Sequence, residues 1–247
     1  TRDVDLAWAF AHSRSQSPTG RVMLEEYLTG QQYSSETVLF DGHAFTPTMC
    51  ERNYEYLDRY APFIIENGGQ WPDVWETERR EALCQVAEDA ARALGIMNGT
   101  AKGDLVWTTD GPKVIEVAAR LSGGYLSSIQ CQLATGVDFI GLAIRLALGE
   151  SISIEELHSH WQRGCAIRYV FGISGETVRI SGTEEIKNFS GVEYVDIPIR
   201  DGLRVEKIID HTKRLGCVIT AGETTIDSVR QAEEAIAKIS IETIGSY

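Results

Sequence analysis

Two carboxylates and one guanidinium carry the chemistry of this sequence. Asp104 and Glu116 stand on either side of a TDGP turn, and Arg120 follows in the run VIEVAARLSGG, residues 114–124. Strand alternation puts Val114, Glu116 and Ala118 on one face and Ile115, Val117 and Ala119 on the other. A hairpin turn centred on Asp110 sets Asp104 directly opposite Glu116. A turn centred between Asp110 and Gly111 sets Glu116 opposite Leu105 and sends Asp104 to the other face. Both registers are open, and a two-residue Asp-Gly turn favours the second. In the first, like charges face each other, which destabilises a sheet unless a cation lies between them. Carboxylates with phosphate oxygens make the usual Mg²⁺ site of phosphoryl transfer, so this register predicts metal chemistry. The plain alternative is a wet strand carrying surface acids.

The residues after Glu116 point the same way. Arg120 offers a planar guanidinium suited to phosphate, carboxylate or developing negative charge. Gly123-Gly124 allows close backbone approach and presents N–H groups to an anion, although a flexible turn would read identically.

The elements that must position these groups follow from periodicity. Residues 4–14 read as a helix, broken by SQSPTG. RVMLEEYL, 21–28, reads as a strand. Asp41-Gly42 marks a hairpin between strands 34–40 and 43–48, and residues 52–73 read as irregular. ETERREALCQVAEDAARALG reads as an amphipathic helix stopped at Gly95. After the hairpin at 104–119 come helix 138–149 and a short helix in ISIEELHSHW. From Cys165 the pattern turns to short strands in CAIRYVFG, TVRIS, EYVDIPI, RVEKIID and CVITAG, then helix TIDSVRQAEEAIAKI. A subdomain boundary is expected near residue 162.

Composition bounds the function. The chain has 247 residues, 43% of them hydrophobic, enough for a substantial core. Its net charge of −13, from 23 Lys and Arg against 36 Asp and Glu, disfavours a nucleic-acid groove, which needs a basic face. Five scattered cysteines without CxxC spacing read as reduced thiols, hence a cytoplasmic setting. No apolar run is long enough to span a membrane, and no signal peptide is read at the start. No histidine pair has ligand spacing and no serine sits in a GxSxG elbow.

Taken together, these residues resemble the ATP-grasp superfamily, and within it the carboxylate–amine ligases typified by L-amino-acid ligases. VMLEEYLTGQQYSSE is similar to the family's adenine-hinge strand. ALGIMNGTAKGDLVWTTDGPKVIEVAARLSGG is similar to its metal strands and glycine loop. The helix after that loop and residues 165–243 are similar to the corresponding parts of amino-acid ligases. The resemblance implies an α+β, ATP-grasp-like fold of mostly antiparallel sheets with flanking helices and a small C-terminal α+β subdomain. It divides the chain into a small-lobe remnant at 1–50, a large lobe at 51–162 and a C-terminal subdomain at 163–247.

The resemblance also implies site roles. Glu25, Glu26, Tyr27 and Leu28 would form the hinge that reads the adenine of ATP. Asp104 and Glu116 would hold Mg²⁺ on the ATP phosphates. Arg120 would stabilise the acyl phosphate or the species formed on amine attack. Ser122, Gly123 and Gly124 would line the acceptor pocket, with Glu36 facing substrate from the Asp41-Gly42 hairpin region. Arg52 is a weaker candidate for the same substrate-facing place, with a surface salt bridge as its favoured reading. The implied activity is ADP-forming ligation of a small-molecule carboxylate to an amine, with an amino acid as substrate and a homodimer as the assembly. The rivals are a binding module without turnover, and a carboxylase or purine-pathway ligase.

Two departures stand out. Ala118 occupies the place where the common pattern has Asn; alanine cannot ligate, so a second metal would lean on Glu116, water and phosphate. The family's N-terminal domain and the lysine-bearing half of its small lobe are not seen before Arg21, and the chain is therefore expected to be part of a longer one.

Overall fold

In a computed structural model, residues 5–72 and 76–245 are described. Eleven strands and six α-helices were assigned among them. The hairpin β1 (Gln31–Phe40) and β2 (His43–Asn53) turns at Asp41 and Gly42 with φ of 50° and 76°. Two successive positive-φ residues twist the chain in the sense that a two-residue hairpin requires, which is why Asp-Gly works there.

An eight-stranded sheet follows the order β5-β4-β1-β2-β3-β6-β10-β8, with every described pairing antiparallel. Its further members are β3 (Gly68–Trp71), β4 (Gly99–Thr108), β5 (Gly111–Ala118), β6 (Gly164–Val170), β8 (Val192–Asp196) and β10 (Gly216–Gly222). A three-stranded sheet of β11 (Ser240–Ile244), β7 (Gly175–Ser181) and β9 (Arg204–Val205) stands beside it. Both expected segment boundaries touch the large sheet: residue 50 lies inside β2, and residue 162 just precedes β6, which pairs with β3.

One face of this sheet is closed by helices. Leu83, Ala87 and Ala91 of α2 (Thr77–Ala93) recur every fourth residue, so one helical stripe packs on Tyr33, Leu39, Met49, Ala101 and Leu105. Helix α6 (Thr225–Ala237) covers Val218 with Ala235. The opposite face has an apolar half of Val38, Cys50, Trp71, Cys165, Ile167, Cys217 and Ile219. Helices α3 (Cys131–Thr135) and α4 (Phe139–Ala147) pack there through Cys131, Ala134, Phe139 and Leu142. Cross-strand partners share a face, so the other half of that face carries Ser34, Glu36, Lys102, Asp104 and Glu116.

Two expectations are corrected. Residues 21–28 pair with no strand among the described residues, and Met23, Leu24 and Tyr27 are exposed. A strand-like sequence without a hydrogen-bonding neighbour cannot join a sheet. Within 52–73, read as irregular, Gly68-Gly69 is the heart of β3. A side chain at Gly69 would sit 2.5 Å from the Cys50 sulfur, so glycine lets the strands close. The short helix α1 (Leu6–Gln16) buries none of its residues, leaving Leu6, Trp8 and Phe10 exposed, despite its helical spacing. The remaining short helix is α5 (Thr183–Ile186). All five cysteines are free thiols. Among the described residues, no helix is long and apolar enough to cross a membrane.

Gly68 gives the test of this packing. Its φ is +150°, and a Cβ there would lie 2.1 Å from the Ile167 carbonyl oxygen. Gly68→Ala is expected to lower stability by about 3 kcal/mol or more in urea unfolding, because backbone strain and a backbone clash add. A loss under about 1 kcal/mol would contradict the close β3–β6 approach.

Candidate functional site

The hairpin of β4 and β5 puts Asp104 directly opposite Glu116, but by neither of the two turns considered from sequence. Thr108 pairs with Gly111, so the two-residue turn is Thr109-Asp110, one position earlier than expected. The Thr108 hydroxyl braces it, donating to the Gly111 carbonyl at 2.8 Å and accepting from the Asp110 N–H at 3.1 Å. Leu105 then pairs with Val114. A bulge at Ile115 inserts one residue in β5 and restores the Asp104–Glu116 pair. The bulge also corrects the alternation: Val114 shares a face with Leu105, not with Glu116.

The pair is not bare. Lys102, two residues before Asp104 and on the same face, lies between the two carboxylates. Its ammonium donates to Asp104 Oδ2 and, at 2.8 Å, to Glu116 Oε1. Arg52 reaches the same Asp104 oxygen at 3.0 Å. Ser34, paired with Asp104 across β1 and β4, donates its hydroxyl to Oδ1 at 2.8 Å. The two acids are unlike in access: the Asp104 side chain is 9% exposed and that of Glu116 55%.

Arg52 is therefore not the surface salt-bridge residue expected. Its side chain is 14% exposed, and it joins Asp104 to Glu66, which it holds at 2.7 Å. Glu66 ties on to Arg214, whose guanidinium lies 3.7 Å from the centre of the Tyr169 ring. A cleft of about 390 Å³ opens beside Arg52, lined also by Gln32, Tyr54, Glu55 and Gln70.

Glu36 is fully buried on β1, paired across the sheet with Lys102. Its Oε1 accepts from the Ser127 hydroxyl at 2.8 Å, while Oε2 is buried with no hydrogen-bond partner among the described residues. Burial pushes its carboxyl up to about 7, against the lowering pull of the Ser122 and Ser127 groups and of Lys102. Ser127 in turn accepts from the Ser122 N–H at 2.9 Å. Gln130 donates to the Gly124 carbonyl at 2.9 Å and accepts from the Trp71 indole at 3.2 Å. The Ser122–Gly124 loop is thus pinned at two points to the sheet. Gly124 has φ of +61°, and a Cβ there would come 2.6 Å from the Tyr169 hydroxyl. Tyr125 then enters a π-turn, also at φ 61°, and its hydroxyl is bound by Asp196. That bond holds the Tyr125 phenol well above its ordinary range.

Arg120 lies two residues beyond the end of β5. It is exposed, donates to the Leu121 carbonyl at 3.0 Å, and has no carboxylate partner among the described residues. An exposed guanidinium without an internal counter-ion is available to an anion. Glu25, Glu26 and Tyr27 are exposed and Leu28 half-buried, in the segment just before β1. Among the described residues their side chains make no hydrogen bond to the carboxylate pair, so the geometry brings together Glu36, Asp104, Glu116, Ser122 and the glycines, and leaves residues 25–28 at the margin.

Whether Asp104 and Glu116 suit a divalent ion turns on their oxygens. Both Asp104 oxygens are engaged, and Lys102 fills the place between the acids. Among the described residues no group of three or more His, Cys, Asp or Glu is arranged to hold a metal. The donors present do not fit an ion bridging the pair; only Glu116, the exposed member, offers an oxygen to an ion brought in with a ligand.

Residues 3–155 match the family model for the carbamoyl-phosphate synthase L chain, ATP binding domain, and residues 168–243 match L-amino acid ligase C-terminal domain 2. An uncharacterized Sinorhizobium fredii protein, y4rH, is 29% identical over 233 residues, 94% of this chain and 45% of that one. Carnosine synthase 1 of Gallus gallus is 26% identical over 128 residues, 52% of this chain and 13% of the synthase. The crystal structure of L-amino acid ligase from Bacillus licheniformis superposes with a TM-score of 0.77 at 25% identity, over 89% of this chain and 55% of the ligase. The chain thus spans about half the length of that ligase and of the Sinorhizobium protein.

Glu36 supplies a test. A carboxyl raised from 4.5 to about 7 by burial is more protonated in the folded state, so folding stability falls as pH rises through that window. Glu36→Gln removes the titrating group. The variant is expected to gain on the parent by about 3 kcal/mol in urea unfolding as pH rises from about 4.5 to above about 7. A difference that stays flat with pH would show that the Glu36 carboxyl is not held up by burial.

Proposed function

We propose that this chain, which belongs to the family of the carbamoyl-phosphate synthase large-chain ATP-binding domain and has the ATP-grasp fold, is the catalytic and acceptor portion of an ADP-forming carboxylate–amine ligase. The observation that carries this reading is the pinned Ser122–Gly124 loop beside an uncompensated Arg120, one turn of chain from the opposed Asp104 and Glu116. ATP supplies the phosphoryl group that activates the carboxylate. A carboxylate oxygen takes that group, ADP leaves, and a mixed anhydride forms. The amine nitrogen then attacks the acyl carbon, loses a proton, and inorganic phosphate departs as the C–N bond closes. Such an anhydride must be kept from water while positive charge offsets its phosphate.

In this reading Arg120 meets the acyl phosphate, and the backbone of Gly123 and Gly124 approaches the acceptor. Glu36 and Ser122 close the floor of the acceptor pocket. Glu116 faces an Mg²⁺ ion carried on the nucleotide, while Asp104 is held back by Ser34, Arg52 and Lys102. Glu25, Glu26, Tyr27 and Leu28 read the adenine from the hinge. The segments 1–50, 51–162 and 163–247 are the small-lobe remnant with the hinge, the large lobe and the C-terminal ligase subdomain, each contributing strands to the eight-stranded sheet. The likeness to an L-amino acid ligase and to a carnosine synthase supports an amino acid as substrate.

A second reading, a module that binds nucleotide or ligand without turnover, draws support from Lys102 filling the space between the carboxylates. ADP release separates the two. In the full-length protein, Arg120→Ala is expected to lower amine-dependent ADP release about 10²-fold, with nucleotide affinity little changed. The double change Asp104→Asn with Glu116→Gln should abolish it. Unchanged turnover in the double variant would sink the assignment of Glu116 to the nucleotide-borne ion and of Asp104 to its support, and no amine-dependent ADP release in the parent would favour the binding module.

A further inference from the structure

We infer that Lys102 is a resident cation, standing between Asp104 and Glu116 in place of a bridging divalent ion. Three observations converge on it. The ammonium bonds both carboxylates at once, and its side chain is only 11% exposed. On β5, Ala118 pairs directly with Lys102 of β4. A methyl group leaves room on that face for the long lysine side chain, which would otherwise meet a larger side chain at the same level. Finally, both Asp104 oxygens are already engaged: Ser34 holds Oδ1, and Arg52 shares Oδ2 with Lys102. The alanine and the lysine therefore work as a pair, one leaving room and the other filling it with charge.

The chemistry of the substitution is plain. Two opposed carboxylates need positive charge between them. A divalent ion provides two charges and exchanges with solvent; an ammonium provides one, permanently, with three donors and no vacant coordination site. Arg52 adds the second positive charge from the side. The ligand position thus becomes independent of metal concentration, leaving the nucleotide-borne ion as the sole divalent participant. That last consequence rests on the ligase reading; the placement of Lys102 does not.

The test uses the full-length protein without nucleotide, titrated with Mn²⁺ and followed by the electron paramagnetic resonance of the free ion. Lys102→Met keeps the length of the side chain and removes its charge. It is expected to tighten Mn²⁺ binding at least about tenfold over the parent, since ligand charge sets affinity at such sites. Adding Glu116→Gln should cancel the gain. Lys102→Gln repeats the comparison should the methionine variant fold poorly. Equal affinity in parent and variant, or no gain on removing the lysine, overturns the inference. Binding of a non-hydrolysable ATP analogue to the same samples reports separately on the ligase reading, so failure of one is distinct from failure of the other.

Discussion

Two carboxylates cannot face each other across a β-hairpin without a cation, and the site is organised around meeting that need. Two like charges about 5 Å apart repel by roughly 3 kcal/mol at an effective dielectric near 20. The backbone sets up the pair: Leu105 faces Val114, and the bulge at Ile115 brings Glu116 opposite Asp104, which would otherwise face Ile115. Lys102 on β4 and Arg52 on β2, two strands away, supply the compensating charge. Removing either cation would leave a largely buried Asp104 short of its partners, a costlier state than never having had the pair.

The sheet joins this polar patch to the core. On the same face, a few residues along, it becomes apolar and receives α3 and α4. The Ser122–Gly124 loop is held from both halves, through Glu36 and Ser127 on the polar side and through Trp71 and Gln130 on the apolar side. A loop so fixed can present backbone N–H groups without first paying to order itself. The one strongly perturbed carboxyl near it, Glu36, follows from the same arrangement, because it is a strand residue sealed beneath that loop.

Much of this was readable from local pattern. The Asp41-Gly42 hairpin, helix α2 with its stop at Gly95, and the strands after Cys165 all follow from short-range chemistry that one segment contains. What escaped was long-range. Ser34 and Arg52 reach Asp104 only because β1 lies between β2 and β4, a fact of sheet order and not of spacing. Residues 21–28 read as a strand, yet strand character is a property of a pair. Lys102 carries a local signal: it stands two residues from Asp104, hence on the same face, and across from Ala118. The Asp104–Glu116 pairing came out as the first register foresaw, though through a different turn and a bulge that strict alternation does not encode.

The most direct measurement is a crystal structure of the full-length protein with Mn²⁺ and a non-hydrolysable ATP analogue, read by the anomalous scattering of manganese. The expected result is manganese on the nucleotide phosphates within reach of Glu116, with the Lys102 ammonium still between Glu116 and Asp104. A manganese peak bridging Asp104 and Glu116, with Lys102 swung out of the site, would contradict it.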